Sequence, residues 1–413
     1  MQVNPSSDQV LDRGCLLVPA KAMLFGEFGV LYGAPALAAT LPKPAMAFEW
    51  SLVRRTQEDL GEPQSFFRPT VVFESELMGG AVGFDVAGVV QGSTDRDSQK
   101  AVLFVSRALS ALSEEASTIA RFDCQLRIRV NRAFSPALGL GSSSAVLVAL
   151  VLLLRHAAGC LTQEPCGAGE QLDALEVGRS PWCPWDTLLW QRLMDVLRRS
   201  QGRGSGYDMA IQCRAAQWFP DQRTLEEAAR LGSPKLWSFM APNNSTSPRG
   251  DLPQIEAFEG HPFWLWAGWL LPSGQAADTG RLLAQRSQKE EIFAASHGDL
   301  ARRALDTLKM QACWCTVGPE ESNASGQGRP TEHPFAPLMD ASLDTAIKQG
   351  IAAHLDHWPE LSLMREHVAY KTMGAGCGDS LWVVPRRFGP LPIAVAQKLA
   401  QHGALSLAHF GPW

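Results

Sequence analysis

Pro136-Ala137-Leu138-Gly139-Leu140-Gly141-Ser142-Ser143-Ser144-Ala145 is the stretch on which the reading of this chain turns. Before it, Phe122 to Val130 alternates apolar and polar residues, the pattern of a half-buried strand. After it, Ser143 to Ala158 is apolar almost all round, which predicts a helix buried inside a core. Gly139 and Gly141 let the main chain approach a ligand closely. The unpaired N–H groups at the start of the following helix favour an anion. Serine hydroxyls there can donate to phosphate oxygens or ligate a hard cation such as Mg²⁺. No G-x-x-x-x-G-K-[ST] run occurs, so this is not the common P-loop.

Working outward, 413 residues exceed what one core usually serves, so two domains are expected. A hydrophobic share of 46% and a charged share of 19% are those of a folded globular protein. The net charge is −5 and no lysine or arginine run exceeds two residues. That composition argues against a nucleic acid or membrane surface held mainly by charge. Nine scattered cysteines without C-x-x-C spacing read as plain thiols in a reducing cytoplasm. The first residues lack the basic and apolar regions of a signal peptide. The apolar run Ala145 to Leu154 is about half the length that crosses a bilayer, so a soluble protein is expected.

Residues 15–50 read as strands with tight turns, Val71 to Phe73 as a strand, and 99–112 as an amphipathic helix. Helices are predicted at 168–178, 185–200, 277–296, 298–316, 336–356 and 392–403. Strands are predicted near 264–271 and at 382–384, with an exposed loop over 317–335. Trp264-Leu-Trp266-Ala-Gly-Trp269 alternates like a core strand, and the histidines 354, 357 and 367 lack the partners that would complete a metal site.

Two further segments stand in order around the glycine–serine turn. One is Pro19-Ala-Lys21-Ala-Met-Leu-Phe-Gly26-Glu27-Phe-Gly-Val-Leu31-Tyr32-Gly33-Ala-Pro35-Ala36. The other is Lys371-Thr372-Met373-Gly374-Ala375-Gly376-Cys377-Gly378-Asp379. Together the three resemble the signature motifs of the GHMP kinases, a resemblance running along the whole chain. It implies an α+β, two-domain GHMP kinase fold. The expected parts are an N-terminal domain over 1–225 like domain 2 of ribosomal protein S5, and a ferredoxin-like C-terminal domain over 226–413. It also implies ATP and Mg²⁺ as cofactors, with Pro136, Gly139, Leu140, Gly141, Ser142, Ser143 and Ser144 around the nucleotide. Ser143 is then the metal ligand.

Within that superfamily, Gln201-Gly202-Arg203-Gly204-Ser205-Gly206-Tyr207-Asp208 is similar to a run in phosphomevalonate kinases, as is Lys371 to Asp379. Leu31 to Ala36 reads more like mevalonate kinase. The resemblance implies a phosphoryl transfer to phosphomevalonate, with mevalonate or another small acceptor as alternatives. Lys21 and Asp208 take the catalytic roles, and Asp208 orients the acceptor more than it deprotonates it. Lys21, Ser205, Gly206, Ser273, Thr372, Gly374, Ala375 and Gly376 are expected to line the acceptor, with Thr279, Arg203 and Asp379 as weaker candidates. The carboxylate that would complete the metal site is open among Asp195, Glu170 and Glu176, because Leu197 occupies the position where mevalonate kinases carry a glutamate. A monomer or homodimer is expected. The rival reading is a GHMP-fold sensor that binds nucleotide or metabolite without turnover.

Overall fold

The computed structural model describes residues 9–55, 68–90, 98–132, 139–162, 183, 185–202, 204–219, 221, 235–241, 252–258, 268–272, 290–312, 331–348, 358–373 and 380–406. The chain divides into two compact units. Unit 1 comprises Met1–Pro19, Ala45–Ala133 and Ser143–Leu231; unit 2 comprises Ala20–Pro44, Phe134–Ser142 and Gly232–Trp413. Unit 2 thus takes two stretches from the N-terminal half of the chain, and both overlap motif segments.

Unit 1 holds the first part of β1 (Gln9–Phe25) and the second part of β2 (Ala36–Arg54), followed by β3 (Val71–Ser75) and β4 (Gly80–Phe84). Then come α1 (Gln99–Ser110), α2 (Ser113–Arg121), β5 (Cys124–Arg132), α3 (Ser142–Thr162), α4 (Thr187–Gln201), α5 (Tyr207–Ala215) and β6 (Gln217–Phe219). The strand order is β4-β3-β5-β2-β1-β6. β5 lies antiparallel to β2, with Trp50 opposite Ile128 and Leu52 opposite Leu126, and parallel to β3, with Phe73 opposite Ile128. Its alternation works as the sequence predicts: Cys124, Leu126 and Ile128 are at most 1% exposed, while Arg127 and Arg129 face outward.

The apolar run Ala145–Leu154 is the middle of α3, a helix of 21 residues. It is the helix among the described residues long and apolar enough to cross a membrane, with a mean hydropathy of 2.0. Leu147 through Leu154 are each at most 3% exposed inside unit 1, so α3 is a core helix. Helix α4 buries Leu189, Trp190, Leu193, Val196 and Leu197. It starts where the Asp186 carboxylate accepts the Leu189 N–H at 2.7 Å.

Unit 2 takes the rest of β1, a short 3₁₀ turn (Phe28–Tyr32) and the start of β2, which pairs with β7 (Lys235–Met240); β7 in turn pairs with β8 (Gln254–Phe258). Its C-terminal part contains β9 (Trp269–Pro272), α6 (Glu290–Ala312), α7 (Ala336–Lys348), β10 (Val368–Thr372), β11 (Ser380–Pro385), α8 (Ile393–Gln401) and β12 (Leu405–Ser406). The four strands run β10-β11-β9-β12, all antiparallel. Among the described residues this is the β-α-β-β-α-β order of the expected ferredoxin-like half with a second helix, α7, in the first crossover, and its first and last strands, β9 and β12, are adjacent. The core between sheet and helices includes Leu271, Leu343, Val368, Tyr370, Val383 and Leu399.

One expectation needs correction. Two helices were predicted on either side of residue 297, but α6 runs unbroken from Glu290 to Ala312. Gly298 is no breaker here: a Cβ on it would stand 2.7 Å from the Ala34 Cβ, so its smallness serves close packing. α7 and α8 match the helices predicted at 336 and 392, α7 being described only to Lys348. The helix predicted at 168–178 lies outside the described residues.

Candidate active site

The glycine–serine turn enters α3 as predicted. Gly139 and Gly141 adopt φ of +65° and +79°, values that only glycine takes without strain. Between them Leu140 is 1% exposed and pins the turn to the protein through its side chain. Ser142 opens α3 half-buried, Ser143 is exposed, and Ser144 is buried at 5%. The hydroxyl best placed to meet a solvent-borne ligand is therefore that of Ser143, while Ser144 faces the core. Pro136 lies outside the described residues.

Lys21 joins this turn. Its backbone N–H donates to the Leu140 carbonyl at 3.0 Å, and its side chain is only 4% exposed within β1. The first and second motifs are thus fastened main chain to main chain inside unit 2.

The first and third motifs are joined as well, by residues the sequence reading quoted without assigning them a role. The Lys371 ammonium, on β10, donates to Glu27 Oε1 and to the Thr372 carbonyl. His297 on α6 places Nδ1 3.6 Å from Glu27 Oε2. Lys371 and Glu27 are 0% and 6% exposed. Burial works against ionisation of Glu27, but the Lys371 charge and the His297 ring outweigh it and hold the carboxyl below the usual carboxylate range. Lys371 also lies 5.6 Å from the centre of the Phe25 ring, which packs edge-on against Phe335 and Trp382.

From Thr372, itself 6% exposed, the chain passes into the third motif. Met373 N–H donates to the Ser380 carbonyl at 3.0 Å, which closes the connection between β10 and β11. Gly374, Ala375, Gly376 and Asp379 lie within that connection and outside the described residues, as do Ser273, Thr279 and Arg203.

In unit 1, Ser205, Gly206 and Asp208 stand together at the start of α5. Gly206 caps the helix with φ +74°, and a Cβ there would meet Met194 Sδ at 2.4 Å and the Trp190 ring at 2.6 Å. Ser205 Oγ accepts the Tyr207 N–H at 3.4 Å. Asp208 sits in the first helical turn, half-buried. Asp195, a candidate metal carboxylate, is 50% exposed and pairs with Arg198 at 3.7 Å on its own helix. Leu197 is buried at 5%, and a Cβ on Gly204 would come within 2.9 Å of it, so that position serves packing. Glu170 and Glu176 lie outside the described residues.

Comparison with known proteins agrees with this architecture. The family model described as the GHMP kinases N-terminal domain matches residues 104–174, which span β5, the turn and α3. Among solved structures, the Methanococcus jannaschii mevalonate kinase is similar at a TM-score of 0.53 and 13% identity, with 97% of this chain and 98% of that chain covered. A second mevalonate kinase structure is similar at a TM-score of 0.50 and 13% identity, with 94% and 95% covered. No curated protein sequence matches. The chain has the fold of the GHMP kinases, and its residues 104–174, across the turn that opens α3, match the model of their N-terminal domain.

Proposed function

We propose that this chain is an ATP- and Mg²⁺-dependent GHMP-type kinase that transfers a γ-phosphoryl group to phosphomevalonate, giving diphosphomevalonate, in the cytoplasm. The observation that carries the reading is the turn itself. Two positive-φ glycines flank an anchored leucine, an exposed serine stands at a helix N-terminus, and Lys21 is fastened to the same turn. Backbone N–H groups at a helix start favour phosphate, and a hydroxyl oxygen is a donor suited to Mg²⁺. When bound, ATP and Mg²⁺ supply the transferable group and neutralise part of its charge.

The chain's own residues have definite tasks in this reading. Gly139 and Gly141 keep the turn's main chain open to the phosphates, and Leu140 holds it still. Ser143 offers the metal ligand. Lys21, fixed in β1, brings a cation to the first motif, and Asp208 orients the acceptor from the first turn of α5. An acceptor that is itself a phosphate is already ionised near neutral pH, so orientation matters more than proton removal. The choice of phosphomevalonate rests on the runs Gln201 to Asp208 and Lys371 to Asp379. The second reading, mevalonate as acceptor, is favoured by Leu31 to Ala36, which ends the 3₁₀ turn with Gly33 at φ +80°.

The deciding experiment incubates the purified chain with Mg²⁺-ATP and each acceptor separately, and measures ADP. Release with phosphomevalonate alone is the expected result, and release with mevalonate selects the second reading. Nucleotide binding without turnover on any acceptor replaces both with the sensor. Asp208→Asn should lower the rate more than tenfold with the fold intact; a smaller loss removes Asp208 from any central role.

A further inference from the structure

Elsewhere in unit 1, Asp12 of β1 meets two residues of α3, His156 and Cys160, which are one helical turn apart. His156 Nε2 is 3.0 Å from Asp12 Oδ2, and Cys160 Sγ is 3.4 Å from that same nitrogen and 3.5 Å from that same oxygen. Three different donor atoms, one each of nitrogen, oxygen and sulfur, therefore converge on one point.

Their spacing has a chemical meaning. Around a tetrahedral Zn²⁺, ordinary bond lengths put nitrogen and oxygen donors about 3.3 Å apart, and sulfur about 3.5 Å from each. The observed triangle is close to that on all three edges. A nucleophile triad would look different, because thiol and carboxylate would lie on opposite imidazole nitrogens. Here both approach Nε2.

The surroundings suit a bound ion. The Trp50 and Trp218 rings each lie 4.8 Å from the His156 ring and fix its plane. The Asp12 side chain is 38% exposed, and Asp12 belongs to the wall of a surface cavity of about 520 Å³ formed with Val10, Leu11 and Arg13. The exposed part of the Asp12 side chain leaves the cluster open to solvent on that side. Among the described residues Cys160 forms no disulfide. The cluster is roughly 20–25 Å along α3 from Ser143, so it is separate from the phosphate turn.

We propose that Asp12, His156 and Cys160 form a binding site for one zinc-class divalent cation, with the Cys160 thiol proton released to solvent on binding. The site pins the start of β1 to the C-terminal end of α3. It is independent of the kinase reading and of the Mg²⁺ that accompanies ATP.

The test uses the metal-stripped full chain without nucleotide, titrated with Zn²⁺ against a chromogenic chelator. One ion should bind, unaffected by excess Mg²⁺, and Cys160→Ser and Asp12→Asn should each weaken it at least tenfold. Co²⁺ in place of Zn²⁺ should show a thiolate-to-metal charge-transfer band that Cys160→Ser abolishes. Zn²⁺ should also protect Cys160 of the unaltered chain from alkylation, read by peptide mass, a measurement that does not depend on any variant folding. Equal Zn²⁺ affinity in the unaltered chain and Cys160→Ser, or alkylation of Cys160 at the same rate with and without Zn²⁺, would overturn the proposal and leave an ion pair only.

Discussion

Glu27, Lys371 and His297 are 6%, 0% and 3% exposed, whereas the cluster of Asp12, His156 and Cys160 keeps its carboxylate 38% exposed beside a surface cavity. Both clusters begin on or just after β1 and reach segments far along the chain. They differ in the sign of their charges and in access to water. In the sealed cluster a full positive charge already answers the carboxylate, and no small ion has a way in. In the half-open one, three electron-pair donors face each other with a path to solvent. Charge balance and access, more than residue type, separate a clamp from a ligand site.

The contrast can be broken most forcefully at Glu27. Glu27→Gln leaves the Lys371 charge buried without its counter-charge and should cost about 3–5 kcal/mol of stability, measured by urea unfolding. Replacing both partners, Glu27→Leu with Lys371→Met, should recover most of that loss, since two apolar residues leave no buried charge. A loss below about 1 kcal/mol for Glu27→Gln would place the pair among those that contribute little.

The same pair predicts a pH dependence. The folded-state pKa of Glu27 lies below its ordinary value. Its stabilisation is therefore complete above the unfolded pKa of about 4.3 and is lost as pH falls through the lower folded value. The stability gap between the unaltered chain and Glu27→Gln should stay constant from neutral pH to about 5 and narrow only in stronger acid. A gap that narrows well above pH 5 would overturn this assignment to Glu27.

The half-open cluster should behave oppositely. Without metal, Asp12→Asn should cost no more than about 1 kcal/mol, as expected for an ion pair in contact with water. With Zn²⁺ present the gap should widen, because an ion that binds only the folded state adds stability in proportion to the logarithm of its concentration over Kd. Thermal melts with and without Zn²⁺ would read this directly.

Much of the fold was legible because its signals are local. Alternation marked β5, apolar continuity marked α3, and the glycines at 139 and 141 foretold the positive φ they adopt. The Lys21 to Leu140 bond and the Glu27 to Lys371 pair were not legible in the same way. The second joins positions 344 residues apart, and nothing in either residue's neighbourhood names the other. The discontinuous units follow the same rule, since pairing of β2 with β7 and the fastening of the motifs draw early residues to the late half. Asp12, His156 and Cys160 left one usable trace, the i, i+4 spacing of histidine and cysteine, but their third member lies 144 residues from His156. The break predicted at 297 does not occur: α6 is continuous there, and Gly298 serves as a contact with Ala34.

That contact has a practical consequence for anyone engineering this protein for heat tolerance. Replacing a helical glycine by alanine is a standard route to a sturdier helix, with a gain of about 1 kcal/mol from propensity alone. At Gly298 the added methyl would stand 2.7 Å from the Ala34 Cβ, and at Gly29 it would stand 2.9 Å from the Gly298 nitrogen. Both swaps should lower the melting temperature, so a library built on helix propensity should leave these two positions untouched.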